Sequence, residues 1–451
     1  MHLQPVQMLV GSFLLLIAFG TIGLMVLPGL YTGPRLGWLD ALFTATSAVC
    51  VTGLIVVDTA TTFTPWGKAF LLLLIQLGGL GIITFATLII LSFGGRLSLR
   101  HEAIPLAAVE VAPHIDFRRL TRSVVLFTLI FEVMGAIVLW LVWLPAFGTA
   151  AAAGHAVFHA ISAFCNAGFS SFSDSLIAFR ENPIVLVTIM LLILLGGLGF
   201  LSLEEFWVLR RRPRGGRLGR LSLHSRLVLA TTVVLLVTGW AMLAAFEWRN
   251  TLAGMPFWAR SLNALFMSVT ARTAGFNTVD YGHVTESAAF LTVILMFVGG
   301  SPGSTAGGVK TTTLALVLLL AWSRLRGRRT TNAWARTVPE DTLQRAVGLF
   351  VFASMILTVA IFLYTSVTPV DPARTPGQTP FLGNVFEATS AFGTVGLSTG
   401  ITPTLSAAGR VITIVLMFLG RVGPLAFAAA ISIPERRLGR FRFAHEDVNV
   451  G

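Results

Sequence analysis

Four short segments, each carrying the same glycine, recur along the 451 residues: SAVCVTGL from Ser47, SAFCNAGF from Ser162, TARTAGF from Thr270 and SAFGTVGL from Ser390. Their glycines, Gly53, Gly168, Gly275 and Gly396, are separated by 115, 107 and 121 residues. The preceding residues repeat as well, in LDALFTATSA, GHAVFHAISA, SLNALFMSVTA and LGNVFEATSA, which set Phe43, Phe158, Phe266 and Phe386 in matching places. The third copy is one residue shorter between Phe and Gly. A period this long is an internal duplication rather than a solenoid of small units.

What surrounds the copies fixes the class. Hydrophobic residues make up 55% of the chain and charged ones 12%, against about 25% charged in soluble domains. Apolar runs near the ~20 residues that cross a bilayer recur throughout. They predict eight spans, near 6–28, 67–93, 122–144, 184–209, 226–246, 288–322, 343–367 and 409–433. The first run is long enough to span and lacks the basic leader of a cleavable signal. The ~10-residue alternation of an outer-membrane barrel is absent. The fold class is all-α, polytopic and membrane-embedded.

The loops 94–121, 210–226 and 323–345 and the tail after 433, with their span-edge residues, carry 22 Lys and Arg, and the opposite loops carry 8. Short cytoplasmic loops are the basic ones, so both termini face the cytoplasm of a multi-pass inner-membrane protein. Most of the net charge of +12 lies on that face, where it suits anionic membrane lipids or an acidic cytosolic partner. Basic residues dispersed among short loops exclude nucleic acid as a partner.

Each semi-polar leader of about 10–12 residues is too short to span and reads as a re-entrant helix on the outer side. After each comes a span with glycines near its middle: Gly78-Gly79-Leu80-Gly81, Gly196-Gly197-Leu198-Gly199, Gly299-Gly300 and Gly420. The unit is span, short helix, Gly-ended loop, span. The repeats run over 1–93, 94–209, 210–322 and 323–433, followed by a tail at 434–451. Irregular backbone at membrane depth is tolerated only where protein or water satisfies it. Four such loops about one axis have the design of a K⁺ filter, in which backbone carbonyls replace the ion's hydration shell. The candidate filter residues are Val49, Cys50, Val51, Thr52 and Gly53; Cys165, Asn166, Ala167 and Gly168; Thr273, Ala274 and Gly275; and Gly393, Thr394, Val395 and Gly396. Their carbonyls rather than their side chains would meet the ion, so Cys50 and Cys165 read as small packing residues. The other reading of such segments, tight helix packing through small residues, does not explain four copies in register on one side.

At this point the chain resembles the Trk/Ktr/HKT superfamily of potassium transporters, whose single chains hold four helix–pore loop–helix repeats. The marks are ATSAVCVTGLIVVDT (Ala45 to Thr59), ARTAGFNT (Ala271 to Thr278), GGSPGSTAGGVKTTT (Gly299 to Thr313) and GRVGP (Gly420 to Pro424). The first span starts within ten residues of Met1, which looks like the KtrB-type branch. The resemblance implies a homodimer on a cytosolic nucleotide-binding RCK ring of the KtrA type. ATP/ADP or NAD would be expected on that separate ring and no cofactor on this chain. The resemblance makes K⁺ the expected transported ion, and members of the superfamily often respond to Na⁺.

GGSPGSTAGGVKTTT interrupts the sixth span. Pro302 removes a helix donor and clashes with the turn before it. A phosphate-binding P-loop is ruled out because Val309 stands where Lys is required. The resemblance makes Gly299, Gly300, Ser301, Pro302, Gly303, Ser304, Thr305, Ala306, Gly307 and Gly308 an intramembrane gating loop, with Lys310 at its end. It also makes Arg421 a positive charge below the filter. Arg272 is expected to point away from the ion, with Asp40 and Glu387 as open choices for a partner or a cation attractor. Glu132 reads as paired or protonated, His155 and His159 as packing or hydrogen-bonding residues, and Asp58 and Asp280 as ordinary outer-loop charges. The rival is a secondary transporter of another cation or small solute with inverted repeats. It would need copies on both sides and paired broken spans, whereas the sequence predicts one broken span. No nucleophile–base pair or metal cluster suggests an enzyme.

Overall fold

The structure, a computed structural model, describes residues 5–81, 117–211, 221–367 and 379–423. The basic segments 94–116 and 212–220, the inner half of the 67–93 span and the tail from 434 lie outside the described residues. The first quarter consists of α1 (Pro5–Val26), the short α2 (Trp38–Val49) and α3 (Pro65–Gly79). The second is α4 (Phe117–Phe164), α5 (Pro183–Gly197) and α6 (Phe200–Arg211). α4 joins a spanning helix to a short one across a kink at Gly148, φ 74°, three residues after Pro145. The third quarter is α7 (Leu223–Glu247), the short α8 (Phe257–Thr270), α9 (Glu286–Phe297) and α10 (Thr311–Leu325). A two-stranded hairpin, β1 (Asn332–Ala333) and β2 (Arg336–Thr337), leads to the last quarter of α11 (Glu340–Val367), the short α12 (Pro380–Gly393) and α13 (Ala407–Val422).

Local chemistry sets where the helices begin. Thr64 Oγ1 accepts from Gly67 N at 3.2 Å, and Asn182 Oδ1 accepts from Ile184 N and Val185 N, both at 3.2 Å. Thr285 and Ser406 do the same for Ala288 N and Gly409 N. Each cap satisfies donors that a helix start leaves bare, so α3, α5, α9 and α13 all begin at a hydroxyl or amide cap. The long helices turn apolar faces outward. Val351, Met355 and Val359, one turn apart on α11, are more than half exposed, as lipid-facing residues are. Among the described residues, three helical stretches, at 122–164, 223–247 and 340–367, are long and apolar enough to span, with shorter apolar helices beside them.

The core surrounds the short helices. Phe43, Phe158, Phe266 and Phe386 are all buried, so the register read from the repeats holds in space. α13 also packs on α2, joining the last quarter to the first. One expectation is corrected: the sixth span is not alone in breaking. The span at 184–209 divides between α5 and α6 at Gly199, φ 86°. α3 ends at Gly79, and α13 ends at Val422 before Gly423 at φ 91°. At Gly199 and Gly423 the backbone takes a positive φ that glycine adopts at no steric cost.

Candidate permeation site

The four short helices run inward, and the segments after them meet at one point. Two residues before each repeat glycine, the backbone enters the left-handed region at a non-glycine residue: Val51 (55°), Asn166 (58°), Thr273 (71°) and Thr394 (50°). The glycines follow at 91°, 68°, 80° and 91°. A left-handed L-residue costs roughly 1–2 kcal/mol and persists where surrounding structure imposes it. Here the same strain appears four times in register.

The glycines close a ring. A Cβ on Gly53 would lie 2.3 Å from Ala167 O, one on Gly168 2.8 Å from Ala274 O, one on Gly275 2.4 Å from Val395 O, and one on Gly396 2.2 Å from Thr52 O. Each glycine thus abuts the carbonyl just before the glycine of the next quarter, and the fourth returns to the first. No other residue type fits at these positions. Thr52 Oγ1, Asn166 Oδ1, Thr273 Oγ1 and Thr394 Oγ1, around the ring, are buried oxygens without a hydrogen-bond partner among the described residues.

Hydroxyls on the short helices hold the ring segments. Ser47 Oγ donates to Leu54 O at 2.7 Å and accepts from Gly53 N at 3.1 Å. Ser162 Oγ donates to Phe169 O at 2.7 Å, Thr270 Oγ1 donates to Phe276 O at 2.6 Å, and Ser390 Oγ accepts from Gly396 N at 3.1 Å. These four clamps are absent from the candidates read from sequence. Their signal was a hydroxyl six, six, five and six residues before the glycine in every copy.

Of the named filter candidates, Val49 and Gly393 are the last residues of α2 and α12, and Cys50 is right-handed just after α2. They end the short helices rather than join the ring contacts. The Val49, Phe164 and Phe392 carbonyls press on Gly78, Gly196 and Gly420, where a Cβ would lie 1.8–1.9 Å from the oxygen. In the third quarter Gly299 meets Gly307 O in this way. Cys165 Sγ reaches Gln76 Oε1 at 3.4 Å, and Gln76 Nε2 donates to Glu132 Oε2 at 3.2 Å. Glu132 is thus paired by neutral groups. His155 and His159 bind Ser171 Oγ at 2.6 Å and Ser170 Oγ at 3.0 Å, in line with a hydrogen-bonding role.

Beneath the ring, residues 298–310 form an irregular loop that touches the second and fourth quarters from the third. Ser301 N donates to Gly197 O at 3.0 Å and Thr305 N to Gly196 O at 3.2 Å. Asn166 Nδ2 donates to Thr305 Oγ1 at 3.0 Å. Gly307 packs on the Thr394 side chain, and Gly300 packs on Ala306. Lys310 Nζ donates to Ala306 O at 2.7 Å, so the ammonium closes the loop on itself. Arg421 completes the layer. Its guanidinium donates to Thr305 O of the loop and to Gly78 O at the end of α3, with Gly79 O at 3.4 Å.

The open choices for charged partners are decided here. Asp40 pairs with Arg410. Glu387 accepts from Ser398 Oγ, from Thr399 N at 2.9 Å and from Thr402 Oγ1 at 2.7 Å. Neither pairs with Arg272, which is buried away from the ring and reaches Thr232 Oγ1 at 3.5 Å. Above the ring opens a cavity of about 240 Å³, lined by the four glycines and also by Asp58 and Asp280. These two carboxylates, expected to be ordinary loop charges, stand at its mouth. Asp58 accepts from Ser173 Oγ at 2.6 Å, and Asp280 lies 2.8 Å from His283 Nδ1.

Comparisons with known proteins show the family and the fold. The family model described as TrkH, cation transport protein, matches residues 4–439. Ktr system potassium uptake protein B of Vibrio alginolyticus is 38% identical over 93% of this chain and 89% of its own. Its Bacillus subtilis (strain 168) namesake is 38% identical over 96% and 94%. The potassium/sodium uptake protein NtpJ of Enterococcus hirae is 36% identical over 100% and 98%. The crystal structure of the potassium transporter TrkH from Vibrio parahaemolyticus superposes with a TM-score of 0.72 at 18% identity, covering 94% of this chain and 83% of that one. With four glycine loops closed on one axis and a matching family model over nearly its full length, this multi-pass membrane protein belongs to the TrkH cation transport family.

Proposed function

We propose that this chain takes up K⁺ across the cytoplasmic membrane through a single pore whose filter is the four-glycine ring. The observation that carries the reading is the cyclic contact of each glycine with the carbonyl before the next one. Around that axis the carbonyls of Val51–Gly53, Asn166–Gly168, Thr273–Gly275 and Thr394–Gly396 would replace the water of a dehydrated K⁺. The strained backbone is fixed before the ion arrives, so little reorganisation is needed on entry. The four units are residues 1–93, 94–209, 210–322 and 323–433, with both termini cytoplasmic. Relatives named as K⁺ uptake proteins support the choice of ion.

The loop 299–308 acts as the gate and Arg421 as its latch. The loop lies across the path below the ring, and the guanidinium opposes a cation there while anchoring the loop to α3. Relatives named as protein B of a Ktr system support a partnered assembly. We read the working form as a homodimer on a cytosolic RCK ring that binds ATP/ADP or NAD and pulls the loop aside. The decisive test is growth of a K⁺-uptake-deficient strain at micromolar to millimolar K⁺. Rescue is expected with the cytosolic subunit co-expressed; its failure with the protein present in the membrane counts against the reading. The relative named for both potassium and sodium favours a second reading in which Na⁺ also enters or assists, and ²²Na⁺ uptake in the same strain decides it.

A further inference from the structure

The cytosolic end of α10 carries groups that the pore does not use. In the hairpin after it, Asn332 pairs with Thr337 and Ala333 with Arg336. The two residues at its tip, Trp334 and Ala335, are left-handed, at φ 46° and 60°. Such tips favour Asn-Gly, so a Trp-Ala pair there is strained. The hairpin is nonetheless firmly seated. Ser323 Oγ donates to Thr330 O at 2.9 Å, Val338 N donates to Thr331 O at 2.9 Å, and Arg324 Nη1 donates to Arg329 O at 2.8 Å. Thr331 and Ala333 are buried. The strain therefore holds Trp334 outward, 50% exposed, on a rigid mount.

Depth places this mount in the headgroup layer. The loop 298–310 lies at the middle of the span, between α9 of 12 residues and α10 of 15 residues. At ~1.5 Å per residue, α10 descends ~22 Å, past the ~15 Å half-thickness of the hydrocarbon and into the polar interface. There Trp322 is 57% exposed and Leu325 82% exposed. Arg326 stacks over the Trp322 ring at 4.5 Å. Arg324 is spent on Glu340, 3.5 Å away. Arg326, Arg328, Arg329 and Arg336 have no acidic partner among the described residues.

We propose that the hairpin and the end of α10 form a binding site for anionic phospholipid headgroups of the inner leaflet, anchored by Trp334. The arginines match phosphate oxygens in charge and shape, and indole rings favour the interface. Exposed Trp and Leu among arginines with no acidic partner among the described residues fit a surface that is apolar below and anionic above, which a lipid leaflet supplies.

The test uses the full chain alone, reconstituted in phosphatidylcholine vesicles with increasing phosphatidylglycerol, part of the lipid brominated high on its chains. The Trp334 signal is the difference between wild type and Trp334→Phe. Quenching of that signal should rise with phosphatidylglycerol. Arg328→Gln, Arg329→Gln and Arg336→Gln should each raise the half-saturating fraction several-fold, roughly fivefold for a residue at the surface, and Arg→Lys at the same positions, which keeps the charge without the planar fork, should recover only part of the loss. Quenching equal in pure phosphatidylcholine, or no quenching, overturns the proposal. So does a Trp334 signal that changes only when the cytosolic subunit is added, which would make the hairpin a protein-docking face.

Discussion

Gly53, at φ 91° with Ala167 O where a Cβ would go, is the residue at which the filter reading is most exposed to test. Gly53→Ser must push the neighbouring carbonyl aside. The expected result is a fall in the Rb⁺-to-Na⁺ flux ratio of roughly tenfold, equivalent to ~1.4 kcal/mol of lost discrimination. An unchanged ratio in proteoliposomes removes the filter assignment. Ser47 serves the same segment from behind, with one hydrogen bond given and one received. Each is worth about 1 kcal/mol, so Ser47→Ala should lower the same ratio more mildly than the glycine variant. Ser47→Thr, which keeps the hydroxyl, should restore it if the clamp and not side-chain volume is responsible.

Among the elements, the 298–310 loop is the one whose position is held by long-range contacts rather than by its own helix. Arg421 supplies two charge-assisted bonds, one to a carbonyl of the loop and one to a carbonyl at the end of α3. Losing bonds worth about 1.5–3 kcal/mol should shift the loop toward its open form by roughly ten- to a hundredfold. Arg421→Gln is thus expected to raise Rb⁺ flux in proteoliposomes lacking the cytosolic subunit. Partial deletion of 301–308 should do the same with the flux ratio preserved. Lower flux in a folded variant would show that the loop supports the pore rather than blocks it.

At the scale of the whole molecule, four quarters must close into a ring although the chain is linear. The contact between α2 and α13 makes that closure, and the Asp40–Arg410 pair lies across it with each side chain about a quarter exposed. A pair this accessible contributes at most about 1 kcal/mol and is screened by salt. Arg410→Gln should lower the melting temperature by no more than about 4 °C, and high salt should shrink the difference. A much larger loss would mean that the pair holds the ring closed and the apolar packing around Phe43 and Phe386 does not.

The repeats, the membrane class, the short helices and the ring glycines were legible in the sequence because each is a local or periodic constraint. A span needs about 20 apolar residues, and a left-handed residue next to a neighbour's carbonyl must be glycine. The quartet of clamp hydroxyls was equally periodic and stood beside glycines that drew the eye first. The choice of Arg410 for Asp40, the hydroxyl cage of Glu387, the breaks in more than one span and the approach of Asp58 and Asp280 to the cavity above the ring had no such local mark. The Glu387 cage is built within its own quarter, from residues 11 to 15 positions further on, and the others depend on which quarters meet about the axis. Only the closed tertiary structure decides that, since it brings residues hundreds of positions apart within hydrogen-bonding distance.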